Sequence, residues 1–181
     1  MNLLKTTAAL AAFTAGAAIF TCPANAAVID YAKISFGQVD TADVNGYELS
    51  GGDVFGVAVG KAVGPLRVEL GYNQLQAGTD FGVAVDGRAR DLNAMAYVDI
   101  PVGHNTTIYG GAGVDYVNAR ATLVGHSFSA DGYGYSYGGG IATRISDHLI
   151  AEAQYRQLEV SDLGGVDLSN GIATVGLRMS F

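Results

Sequence analysis

The side chains able to do chemistry in this 181-residue chain fall into a few sets, and their spacing decides between them. One set holds Lys33, Arg67, Glu69, Asp91, Asp99, Asp115, Arg144, Glu152, Arg156 and Arg178, five basic and five acidic residues. That balance suits mutual ion pairing, the usual condition for charge held away from water. A second set is acidic: Asp40, Asp43, Glu48 and Asp53, then Glu159, Asp162 and Asp167. Carboxylates suit Ca²⁺ or Mg²⁺, but neither stretch has the alternating ligand spacing and central glycine of an EF-hand loop. Solvated carboxylates are the expectation, with no metal and no cofactor assigned. The third set is His126 with Ser127 and Ser129, where the nearest acid is Asp131. A nucleophile needs its base, and the base its orienting acid, in one geometry. Nothing in this spacing secures that, so no catalytic residue is assigned and the chain is read as a non-enzyme. His104 and His148 lie far from His126 in turn-like sequence, which leaves no three-histidine zinc site. Gly110-Gly111-Ala112-Gly113 has no helix after it and does not read as a phosphate loop.

What positions these residues is a two-residue alternation that runs through the chain. It is plainest from Asn170 to Phe181, where Ala173, Val175, Leu177, Met179 and Phe181 alternate with Thr174, Gly176, Arg178 and Ser180. Period two marks a strand with one apolar and one polar face. Eight such segments are present, beginning near Tyr31, Val54, Leu66, Asp91, Thr107, Tyr133, Leu149 and Asn170. The ten paired charges all take the polar phase. Phe36, Phe55, Tyr72, Tyr116, Tyr133, Tyr135, Tyr137, Tyr155 and Phe181 take the other. Short connections around Gly64, Gly103 and Asp147 alternate with long polar ones at 40–53, 76–90, 119–131 and 159–170. Apolar-out, polar-in strands joined by alternating short turns and long loops are the pattern of an outer-membrane barrel. The expected fold is therefore all-β, an eight-stranded antiparallel up-and-down transmembrane β-barrel. Its interior would be just wide enough for side chains to fill it. Aromatic residues near the strand ends would form interfacial girdles.

The first 26 residues read differently. A short basic start, an Ala-rich apolar core over Thr6–Phe20 and the small residues Ala24-Asn25-Ala26 form a secretory signal peptide. The expected division is 1–26 signal peptide and 27–181 barrel domain. The single cysteine, Cys22, falls in the leader and follows Ile19-Phe20-Thr21, not the small residue that precedes a lipidated cysteine. Without Lys5 the remaining chain carries nine basic and 17 acidic residues, a net charge of −8. An acidic chain with no basic cluster excludes nucleic acid as partner.

Thr174, Gly176, Met179 and Phe181 resemble the C-terminal assembly signal of bacterial outer-membrane barrels, in which a polar residue, a glycine, a hydrophobic residue and a terminal aromatic are read by the barrel assembly machinery. The whole chain after the leader resembles small eight-stranded barrels of the OmpA-transmembrane, OmpX or opacity-protein type, without the peptidoglycan-binding domain of the OmpA type. The resemblance implies an outer-membrane location, contact with outer-membrane lipid and lipopolysaccharide, and a monomer. It implies a structural or surface-interaction role: envelope integrity, adhesion, or host-factor or other surface-ligand binding at the loops. A narrow porin-like channel is the alternative. Arg88, Arg90 and Arg120 suit lipid head-group phosphate. Some barrels of this kind modify lipid A, but where the deacylase pattern places serine after histidine this chain has Phe128. A soluble lipocalin-like barrel would turn the apolar phase inward around a ligand.

Overall fold

The computed structural model describes residues 29–44, 47–77, 86–123, 126–161, 163 and 167–181, with side chains described except at 40–51, 77–87 and 121–128. The proposed leader and its cleavage site lie outside the described residues. The strands are β1 (Tyr31–Val44), β2 (Tyr47–Val63), β3 (Leu66–Ala77), β4 (Asp86–Pro101), β5 (Thr106–Leu123), β6 (His126–Arg144), β7 (Leu149–Val160) and β8 (Leu168–Ser180). Each pairs antiparallel with the next, and β1 pairs with β8 from Tyr31↔Ser180 to Val44↔Leu168, which closes the barrel. Closure pairs each strand on both sides through the middle of the barrel, the condition for sheet in hydrocarbon, while the loop-side ends of β2 and β6 pair on one side only. The shortest strands, β3 and β7, have 12 residues each. That exceeds the roughly 9–11 needed to cross a bilayer at a tilt.

The residue alternation sets the faces as the sequence implies. Val114 is 65% exposed, Val175 63% and Leu70 59%, while Arg67 and Asp91 are 1% and 0% exposed. The sheet is thus inverted relative to a water-soluble one, with an apolar exterior that would aggregate unless lipid covered it. A lipocalin-like arrangement, with the apolar phase inside, is excluded by this register.

Three tight turns close one end. The β2–β3 link has only Gly64 and Pro65 between the strands, with Gly64 at φ 61°. Glycine at the first central position of a two-residue hairpin takes that positive angle without strain. Residues 102–105 and 145–148 form the other two short connections.

At the opposite end the strands run further than the alternation implies. Thr41↔Ser50 through Val44↔Tyr47 extend the β1–β2 ladder across the stretch expected to be the first loop. Likewise β5 and β6 pair as far as Leu123↔His126, inside the expected third loop. Once a hairpin rises beyond the lipid, neither face must be apolar. The backbone ladder then continues with no period-two signal to announce it.

Candidate functional site

The lumen is filled in layers, each built from inward positions of several strands. Nearest the short turns, Arg67 on β3 reaches Asp99 through Nε at 3.2 Å and Glu69 through Nη1 at 3.1 Å. Three tyrosines surround its guanidinium: Tyr97 at 4.5 Å, Tyr109 at 4.7 Å and Tyr31 at 5.9 Å from ring centre to Cζ. Inward tyrosines need space. Gly140 gives it on β6, where an added Cβ would meet the Tyr109 hydroxyl at 2.6 Å. Lys33 on β1 pairs with Glu69 at 2.5 Å and lies 3.9 Å from Glu152, which also faces Arg178 Nε at 3.0 Å. This lower layer joins three cations to three carboxylates and is neutral.

Further along the axis, Arg156 on β7 donates to Asp91 on β4 and, through Nη1 at 2.9 Å, to Asp115 on β5. Asn73 and Asn93 donate to the same Asp91 oxygen at 2.8 and 3.1 Å. Between the layers lies a cavity of about 30 Å³, lined among others by Lys33, Glu69, Asn73, Asn93, Gln154 and Arg156. A water needs ~10–15 Å³ on that measure, so this space fits about two.

Above the Arg156 layer the lumen turns apolar. Val39, Val54, Leu75, Val117, Leu158, Val160 and Ile172 form one buried cluster, with Ala89, Leu163 and Leu168 packed against it. These are inward positions, in phase with Lys33, Asn73, Asp115 and Arg156 lower on the same strands. The cluster seals the loop-side end of the barrel. Sequence reasoning missed it, although a signal is visible: near those strand ends the alternation inverts, with apolar residues on the inward phase and Gln38, Asp53, Gln74, Gln76, Asn118, Gln157 and Glu159 on the outward one.

Nine of the ten residues assigned to the interior charge network take part in it. Arg144 does not. It ends β6 at the short-turn rim, opposite Ile150, and is exposed. Its phase is inward, but the strand stops before the lumen wall encloses it.

The remaining candidates are not brought together. Asp53 and Asp167 are exposed, and Glu159 accepts bonds from Gln157 and Ser169, while the side chains of Asp40, Asp43, Glu48 and Asp162 lie outside the described residues. Among the described residues no cluster of histidine and carboxylates suited to a metal occurs. His126, Ser127 and Ser129 sit on β6 rather than in a loop, and the side chains of the first two lie outside the described residues. His104 and His148 are exposed at the other end, as expected. Thr174, Gly176 and Met179 lie on β8, and Phe181 follows its last residue with its ring outside the lumen.

A family model described as the outer membrane protein beta-barrel domain matches residues 6–181. No curated protein sequence matches the chain. Among solved structures it is similar to Neisserial surface protein A, with 18% identity, 83% of this chain and 96% of that chain covered, and a TM-score of 0.75. It is also similar to Ail of Yersinia pestis, with 20% identity, coverage of 83% and 99%, and a TM-score of 0.54. The N-terminal β-barrel domain of Pseudomonas aeruginosa OprF gives 16% identity, coverage of 84% and 98%, and a TM-score of 0.56. At such identities the structural likeness speaks for the fold alone. With an apolar belt outside, paired charge inside and the family model matched along nearly its whole length, the chain belongs to the outer-membrane β-barrel proteins.

Proposed function

We propose that this protein is a closed, non-conducting and non-enzymatic barrel that serves the envelope as a structural and surface-interacting element. Exported by residues 1–26 and inserted as 27–181, it presents its four long-loop strand ends outside the cell. The observation that carries this role over a porin-like channel is the apolar cluster of Val39, Val54, Leu75, Val117, Leu158, Val160 and Ile172. An ion entering from the loop side would have to leave water for a constriction that, among the described residues, is apolar apart from the buried Asn170 amide beside Leu158. Below it, Arg156 with Asp91 and Asp115 fills the cross-section a second time. A substrate held out by both layers does not reach the buried charges beneath them.

Planar-bilayer recording of the refolded protein tests this. Silent bilayers, from protein whose unheated form migrates as a folded barrel in SDS, are the expected result. Discrete unitary currents from the same preparation would replace this proposal with the channel.

A further inference from the structure

The two charged layers of the lumen differ in their count. The lower one sets Lys33, Arg67 and Arg178 against Glu69, Asp99 and Glu152. The upper one sets two carboxyl groups, Asp91 and Asp115, against Arg156 alone. Asp91 is 0% and Asp115 2% exposed, so water does not offset the extra negative charge. Among the described residues, no neighbouring strand brings a second cation to this height. Asn73 on β3, Asn93 on β4 and Ser136 on β6 are uncharged, as are Gly56 on β2, opposite Asn73, and Ile172 on β8, opposite Arg156. Lys33 on β1 lines the cavity below together with Tyr97, but it is taken up by Glu69.

Donors are shared unevenly between the two carboxyl groups. Arg156 Nη2, Asn73 and Asn93 all donate to Oδ2 of Asp91, whereas Asp115 receives only Arg156 Nη1, through Oδ1. Oδ1 of Asp91 and Oδ2 of Asp115 are buried without any donor. Asn93 pairs with Asp115 across the β4–β5 ladder, which puts Asp91 on the diagonal of the same inward face. The two carboxyl groups lie within hydrogen-bond reach of each other. Ser136 donates to Met95 Sδ at 3.1 Å. Turned toward Asp115, its hydroxyl would still leave Oδ1 of Asp91 unserved.

Carboxyl groups in contact in a site that water does not reach do not both ionise, and sharing one proton resolves the conflict. We propose that Asp91 and Asp115 hold one proton between them, carried by Asp115 and donated to Asp91. The three donors on Asp91 mark it as the ionised partner. One proton supplies the bond that each carboxyl group lacks and makes this layer neutral with Arg156, as the layer below already is. The pair is thereby the pH-sensitive point of the barrel. The folded chain keeps a proton that an unfolded aspartate releases near pH 4. Stability from this source is therefore complete in acid and is lost as the pH rises until the buried proton leaves.

Infrared spectroscopy of the full barrel, folded in detergent in water and in heavy water at neutral pH, tests the pair. The wild type should show a neutral-carboxyl carbonyl band that deuterium shifts. The band should vanish in D115N, and also in D91N, where Asp115 ionises opposite Arg156. S136A should keep it. In urea titrations above about pH 4, the unfolding constant of the wild type should rise relative to D115N by up to tenfold per pH unit. D115N, whose amide donates as the proton does, decides the question alone should D91N not fold, and heat-shifted mobility in SDS checks each variant. No band in the wild type, with parallel pH curves, would overturn the proposal in favour of two ionised carboxylates. A band that survives in D91N would show that burial alone protonates Asp115, which also overturns the sharing. Stabilisation of the wild type by sodium over a bulky organic cation, without the band, would put a metal ion in the proton's place and overturn it as well.

Discussion

Arg67 lies over the ring of Tyr97, its Cζ 4.5 Å from the ring centre, while Tyr109 meets that same ring edge-to-face with centres 5.4 Å apart. The contact uses the planarity of guanidinium, and the nitrogens left over reach Asp99 and Glu69. A charge alone would not do this. Arg67→Lys keeps the cation but loses the stack and the fork, and should cost about 2 kcal/mol in this desolvated setting. Arg67→Met also strands Glu69 and Asp99 near a cation deficit and should cost about 3–5 kcal/mol. Urea unfolding in lipid vesicles, followed by loss of the heat-shifted band, measures both. Equal stability of the two variants would show that the stack and the fork, not charge, are what the position supplies, and a lysine variant as stable as the wild type would show the reverse.

The Arg156 layer makes a different prediction. Removing Arg156 alone leaves Asp91 and Asp115 buried without a cation, so Arg156→Met should cost about 3–5 kcal/mol. The triple change Asp91→Asn, Asp115→Asn and Arg156→Met removes charge from both sides and should recover most of the loss. Denaturant titrations of the single and triple variants decide it. A triple variant as unstable as the single one would mean that the arginine holds the strands by packing instead.

Leu158 is 1% exposed at the centre of the apolar seal. Leu158→Ala should therefore cost about 2–5 kcal/mol through the cavity it leaves. Bilayers containing it should stay silent, because the Arg156 layer still occludes the lumen beneath. Currents from Leu158→Ala alone would assign the whole seal to the apolar cluster.

The strands crossing the lipid were legible because lipid outside and charge inside impose opposite demands on neighbouring residues. Lys33, Arg67, Glu69, Asp91, Asp99, Asp115, Glu152, Arg156 and Arg178 all fell on the correct phase for that reason. Which carboxylate meets which cation was not legible, since it depends on register between strands as far apart as β4 and β7. The seal was hidden because Val117 and Leu158 sit in phase with charged residues, where an apolar side chain reads as noise. Arg144 had the right phase and the wrong height. Alternation gives the face of a residue but not its position along the barrel axis. The extended outer ladders, such as Thr41↔Ser50, carry no alternation because no lipid enforces it.

Phe181 separates assembly from stability. Its amide donates to the Asp30 carbonyl at 3.0 Å beside the β1–β8 seam, and its ring is 56% exposed. An outward ring contributes nothing to the lumen layers, and a substitution at such an exposed site changes stability by roughly 0.5 kcal/mol or less. Phe181→Ala should thus refold into detergent with wild-type yield and the wild-type denaturation midpoint. In cells, where Thr174, Gly176, Met179 and Phe181 are proposed to be read together during assembly, the amount of heat-shifted protein in the outer membrane should fall. Pulse-chase labelling with unheated gels follows that fraction over time. Comparable losses in the detergent and in the cell would make Phe181 a structural residue. A loss confined to the cell would show that the ring is read before the barrel closes, when β8 has not yet found β1.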